Sequence, residues 1–162
     1  MRAAPQAAPI FIAATAALAL AAVGAALTEI GPWYRQLVQP AWKPADFWFG
    51  PAWTLIFALA ATSGVLAWKH TPKGRGRILM LALFGLNAGL NSLWSLLFFK
   101  LQRPDWALAE VGFLWLSIAA LIACIRPHSL LASRLLYPYL AWVSFASVLN
   151  WSTVRLNSPF GG

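Results

Sequence analysis

Charge is what this chain has least of. Only 10% of its 162 residues are Asp, Glu, Lys or Arg, against roughly a quarter in an ordinary soluble domain. So little charge, beside 60% hydrophobic residues and a mean hydropathy of +0.67, excludes a soluble fold, which would have no way to bury that much apolar surface. Four acidic residues, two histidines and one cysteine also leave little material for catalysis. No nucleophile with an adjacent base, no paired catalytic carboxylates and no metal-ligating cluster is present, so the sequence points to no catalytic residue and argues against an enzyme. A lone Cys124 excludes an intrachain disulfide, and its apolar neighbours make it a packed small residue rather than a reactive thiol. His70 and His128 both lie in connections on one side, against a histidine-based structural metal site. They read as solvated loop residues, with ligation of a haem iron by one of them as the alternative. Period-two alternation is missing as well, which excludes membrane barrel strands.

What is present is long apolar runs. A spanning helix needs about 20 mostly apolar residues, and five stretches meet that need: residues 10–27, 50–68, 78–99, 106–125 and 131–154. The expectation is an all-α, multi-pass membrane protein, a single domain over residues 1–162 with five transmembrane helices in one bundle. Arg2 and the Ala-rich run ending near Ala22-Val23-Gly24-Ala25 also fit a secretory signal peptide. Cleavage there leaves four helices; the stretch is kept as a helix because the resemblance given below includes it.

Loop charges suggest an orientation. Arg2, Lys69, Lys73, Arg75, Arg77, Arg126 and Arg134 fall on one side with no acid among them. Arg35, Lys43, Lys100, Arg103 and Arg155 fall on the other, offset by Glu29, Asp46, Asp105 and Glu110. Counted on Lys and Arg, the first side faces the cytoplasm, which places the N-terminus inside and the first loop outside. The net charge of +8 sits in short connections beside helix ends, where anionic lipid head groups rather than nucleic acid attract it.

The connection between Leu27 and Gly50 is unusually long for two neighbouring helices, and such loops are commonly lids or disordered. Trp33, Tyr34, Trp42, Phe47, Trp48 and Phe49 argue against disorder, while Pro32, Pro40 and Pro44 exclude a long regular helix. This Trp- and Pro-rich loop is expected to fold back onto the bundle mouth. Tryptophans at span ends, Trp68, Trp106 and Trp151, read as an interfacial belt. Trp53, Trp94, Trp115 and Trp142 lie deeper, where a belt does not account for them. At 1.5 Å rise per residue, Trp53, Asn91, Trp94 and Trp142 reach a common depth in the outer half of the membrane.

The third span carries two faces. Asn87, Asn91 and Trp94 share one side, and Gly85 and Gly89 lie nearly opposite. An amide inside hydrocarbon is costly unless it turns inward to a partner, so the Asn side faces the bundle core. The Gly85-x-x-x-Gly89 spacing permits close helix approach, either as a dimer seam or within one bundle.

At these residues the chain resembles the translocator protein and tryptophan-rich sensory protein family, TspO/MBR. The motifs run almost the whole length: Trp33-Tyr34 with Leu37, Pro40, Trp42 and Pro44; Gly50-Pro51-Ala52-Trp53-Thr54; Leu90-Asn91-Ser92-Leu93-Trp94 and Phe98-Phe99; Pro138-Tyr139-Leu140-Ala141-Trp142 and Leu149-Asn150. The resemblance implies a five-helix membrane protein, often a homodimer, whose pocket beneath the first loop binds porphyrins and haem-like tetrapyrroles, or sterol-like ligands in animal members. Carried over by position, Tyr34, Trp53, Phe57, Asn91, Trp94, Trp142 and Ala146 line that pocket, with Arg35 and Lys43 as candidate propionate contacts or simply solvated loop cations. No cofactor is required; porphyrin or haem is the expected ligand. Two departures stand out. The family's Pro-Pro after the loop tryptophan is Pro44-Ala45 here, and Trp151 stands where the sterol-linked pattern ending at Arg155 expects Tyr, which argues against sterol binding through that pattern.

Three functions are compatible with this reading: a tetrapyrrole-binding sensor or receptor, a carrier for porphyrins, sterols or related hydrophobic metabolites, and light-dependent porphyrin degradation. Proton-coupled transport usually needs an ionisable residue within a span. None is evident, because Glu110 lies in the first turns of its helix, where it is expected to snorkel outward.

Overall fold

Prolines and glycines mark where the helices start and stop. In a computed structural model, which describes residues 4–160, these breaks separate five long helices and two short ones, with no strand among the described residues. The long ones are α1 (Ala4–Leu27), α3 (Phe49–His70), α4 (Arg75–Ser95), α5 (Pro104–Ile125) and α7 (Tyr137–Asn157); the short ones are α2 (Pro32–Gln36) and α6 (Leu130–Arg134). Pro32 opens α2 and Pro104 opens α5, at positions where a missing N–H costs nothing because no intrahelical partner exists for it. Gly74, just before α4, has φ +114, a conformation that favours glycine. Arg2, counted above with the inner charges, lies outside the described residues.

Four helical stretches are long and apolar enough to cross a bilayer: Ala7–Leu27, Asp46–His70, Arg75–Lys100 and Pro104–Ile125. Phe11, Leu18, Ile78 and Phe113 are each at least 65% exposed on them, a pattern that suits lipid rather than water. The protein is an integral membrane protein. α7 has comparable length, 21 residues, but carries Ser144, Ser147, Asn150, Ser152, Thr153 and Arg155 and is not among those four stretches.

Two expected boundaries change. The stretch 131–154 is not one helix: Ser129 caps α6 by accepting from the Ala132 N–H at 3.2 Å, and the chain restarts as α7 at Tyr137. Pro138 explains the break, because it has no N–H for the Arg134 carbonyl and its ring clashes with that turn. The long first connection is also not a plain loop, since it contains α2 and a 3₁₀ turn at Asp46–Trp48.

The most extensive contacts are α4 with α5, α5 with α7, and α1 with α3. We call the end of the bundle that carries residues 28–49 outer and the opposite end inner; the inner half closes around Ala67, Met80, Leu121, Ile125, Ala132 and Leu136. Toward the outer half, Ile56, Phe57, Val111, Leu114, Ile118, Tyr139 and Val143 form a second core. Above it aromatic rings take over. α4 ends there in a π-helical turn, Leu96–Lys100, whose Leu101 N–H bonds the Leu96 carbonyl at 2.9 Å. Such turns shift helix register locally and recur at functional sites; here Phe98 and Phe99, adjacent in sequence, both face one cavity.

Candidate ligand pocket

The outer cavity, about 420 Å³, lies beneath residues 28–49, with walls from α1, α3, α4 and its π turn, and α7. Tyr34, Trp53, Phe57, Asn91, Trp94, Trp142 and Ala146 all line it. Helical spacing explains the contribution of each wall: Trp53 and Phe57 are one turn apart on α3, Asn91, Trp94 and Ser95 share a face of α4, and Trp142, Ala146 and Asn150 repeat every four residues on α7. Trp53 meets Trp142 edge to face, centroids 6.4 Å apart at 83°, and Phe49 meets Trp142 at 5.6 Å and 69°. On the opposite wall Trp94 stacks on Phe98 at 5.1 Å.

The roof is held by contacts that sequence reasoning did not anticipate. The Asn157 amide clamps the backbone of Val38, accepting from its N–H at 2.7 Å and donating to its carbonyl at 2.9 Å, which ties the first connection to the end of α7. Trp33 and Tyr34 pack on Phe98 and Phe99, and Trp42 packs on Phe145. Phe47 and Trp48 instead stack on each other and stay exposed, so they do not fold back into the mouth.

Lys43 lines the cavity, and its side chain is only 10% exposed. It pairs with Asp46 and sits 5.5 Å above the Tyr34 ring. Tyr34 Oη donates to the same carboxylate at 3.0 Å. Burial, reinforced by the Asp46 charge and this hydrogen bond, raises the Tyr34 phenol well above its ordinary value. Arg35 is exposed and does not reach the cavity, because it lies on the outer side of α2. Gln39 Nε2 and Trp142 Nε1 are buried in the wall without a partner among the described residues.

Below the rings, Asn91 Nδ2 donates to Tyr139 Oη at 3.2 Å. The Asn150 carboxamide has complementary partners in one orientation, donating to the Pro104 carbonyl at 3.0 Å and accepting from Trp94 Nε1 at 3.3 Å and the Leu108 N–H at 3.1 Å. Asn150 therefore holds Trp94 in place across α4, α5 and α7. Its spacing of eight from Trp142 is the signal that would have found it.

Glu110 corrects an expectation. It does not snorkel outward: it is 6% exposed, and both carboxylate oxygens are buried without a partner among the described residues. Ala107, Val111 and Leu114 on the same face are buried too, so the side chain points into the bundle rather than along its edge. The span-end tryptophans each have a cation over the ring: Arg77 over Trp68 at 4.1 Å, Arg103 over Trp106 at 4.2 Å and Arg155 over Trp151 at 5.0 Å. Trp115 stays outside the cavity and donates to Ser144 at 2.9 Å. Gly85 and Gly89 are exposed, and a Cβ at either would meet nothing of this chain within 4 Å, so they do not serve packing inside the bundle.

A second cavity, about 500 Å³, lies toward the inner side between α1, α3 and α4. Phe57 lines both cavities. Among the described residues no three His, Cys, Asp or Glu side chains gather to hold a metal ion.

The sequence model of the TspO/MBR family matches residues 11–156. The chain is 38% identical over 145 residues to the tryptophan-rich protein TspO of Archaeoglobus fulgidus, covering 88% of this chain and 93% of the relative. It is 33% identical over 134 residues to the translocator protein of Homo sapiens, covering 80% and 78%. To the tryptophan-rich sensory protein of Cereibacter sphaeroides it is 31% identical over 148 residues, covering 91% of each.

Proposed function

The chain belongs to the TspO/MBR family, and we propose that it is a membrane receptor or sensor that binds a tetrapyrrole, porphyrin or haem, in the outer cavity. The observation that carries this reading is the convergence of Trp53, Trp94 and Trp142, from three different helices, on one cavity with the Asn91 amide at its floor. A flat conjugated ring gains from indole and phenyl faces, and a few polar groups suffice to orient it. Lys43 at the roof supplies the cation for a propionate, whereas Arg35 is not needed for that role. Protoporphyrin titrated into the detergent-solubilised protein is expected to quench tryptophan fluorescence saturably. Quenching that rises linearly without saturation rejects the site.

In the membrane we propose five spans, with α7 as the fifth, the N-terminus in the cytoplasm and the Trp- and Pro-rich segment facing out. The open Gly85 and Gly89 face supports a homodimer seam. A carrier is the second reading, and Glu110 favours it, since a buried carboxyl group inside a spanning helix is the feature proton-coupled transport requires. Porphyrin flux into proteoliposomes under an imposed proton gradient, compared with protein-free vesicles, separates carrier from receptor.

A further inference from the structure

The carboxamide of Asn91 meets the cavity with its hydrogen bonding already decided from below. The series begins at the Leu114 carbonyl, which can only accept. Ser117 Oγ lies 2.7 Å from that oxygen, so its one hydrogen is committed there. The Asn87 amide atom 2.9 Å from the same Oγ must then be the donor, Nδ2. This turns Asn87 Oδ1 toward Tyr139, 3.1 Å away, and the phenol has to donate to it. Its hydrogen spent, Tyr139 Oη accepts from Asn91 at 3.2 Å, which makes that contact Nδ2 as well. Oδ1 of Asn91, without a partner among the described residues, is left at the cavity. Asn87, Asn91, Ser117 and Tyr139 are each at most 5% exposed, so bulk water does not compete for these bonds.

We propose that Ser117, Asn87 and Tyr139 are positioning residues that set the pocket floor as a hydrogen-bond acceptor, so that the cavity selects aromatic ligands bringing an N–H or O–H donor to Asn91. Reversing the amide to offer its N–H groups would set Asn91 Oδ1 against the Tyr139 oxygen, or would require every member of the series down to Ser117 to turn. Ser117 itself does not line the cavity, so the selection is imposed from α5 through α4 and α7. The inference rests on the outer cavity being the ligand site.

The test uses 9-fluorenol and 9-fluorenone, flat aromatics with the same heavy-atom skeleton, one bearing a hydroxyl and the other only an acceptor carbonyl. Each is titrated against bound protoporphyrin. The wild-type protein is expected to favour fluorenol by about tenfold, the effect of one buried polar group left paired or unpaired. In Ser117→Ala and in Tyr139→Phe, which keeps the ring against Trp53, that ratio is expected to fall below about threefold as the amide becomes free to turn. Equal displacement by the two compounds in the wild type overturns the proposal while leaving the porphyrin site standing. So does a ratio unchanged in both variants, the result for residues that only support the fold. Failure of protoporphyrin to bind at all removes the site and the proposal together.

Discussion

The outer cavity and the inner groove have similar volumes, about 420 and 500 Å³, and one ring, Phe57, borders both. They differ in what their walls have left to offer. The groove is lined by Ala8, Ala13, Ala16, Leu20, Val65, Phe84 and other apolar groups, and its two buried polar side chains, Asn87 and Tyr139, already bond to each other. The outer cavity keeps Asn91 Oδ1 without a partner among the described residues and carries the Lys43–Asp46 pair at its roof. Space alone admits any apolar molecule that fits. Recognition comes from polar atoms whose bonds are unspent and whose directions are held, and that criterion is why the smaller cavity is the one proposed as the ligand site.

The strongest way to break this contrast is to remove the outer rings. Trp53→Ala combined with Trp142→Ala is expected to weaken protoporphyrin binding about 100-fold, from two lost aromatic contacts of roughly 1.5 kcal/mol each. Affinity measured by porphyrin absorbance, rather than by the removed fluorophores, checks it; an unchanged affinity would place the ligand elsewhere.

A smaller effect is expected from pH, and it concerns only the roof. The Tyr34 phenol is raised above its unfolded value near 10, so the docked segment prefers the neutral form. Its stabilising contribution is complete below about pH 10 and is lost as the pH rises from there toward the folded value. The difference in alkaline absorbance between wild type and Tyr34→Phe is expected to show a late titration. Asp46→Asn should bring it down part of the way, burial accounting for the rest. Titration of Tyr34 at the ordinary phenol value would contradict the docked roof.

The smallest effect belongs to the inner groove. Ala61 lines it and not the outer cavity, and Ala61→Leu, which partly fills it, is expected to change protoporphyrin affinity by no more than about twofold. A loss approaching that of the tryptophan pair would show that the two cavities act as one.

Much of this architecture was legible from residues read in order. Hydropathy located the long helices, and rise per residue brought Trp53, Asn91, Trp94 and Trp142 to one depth, where they do share a cavity. What escaped were features that depend on neighbours distant in sequence. Arg35 and Lys43 look alike in a loop, yet α2 turns Arg35 outward while Asp46 and the Tyr34 ring draw Lys43 in. Glu110 sits early in its helix, where outward snorkelling is the natural expectation, but its helical phase aims it at the bundle interior. The Asn157 clamp on Val38 joins residues 119 apart and has no local signature.

By itself, the sequence determined the solvent of this protein and the rough placement of its helices. Both follow from properties summed within one segment: apolar side chains that water rejects, and prolines that cannot donate to a helical turn. Only the tertiary structure decided which polar atoms would be satisfied and which left for a ligand. That outcome depends on angles and distances between helices: the Asn87 and Asn91 amides acquire a direction only when α5 and α7 bring Ser117 and Tyr139 within hydrogen-bonding reach.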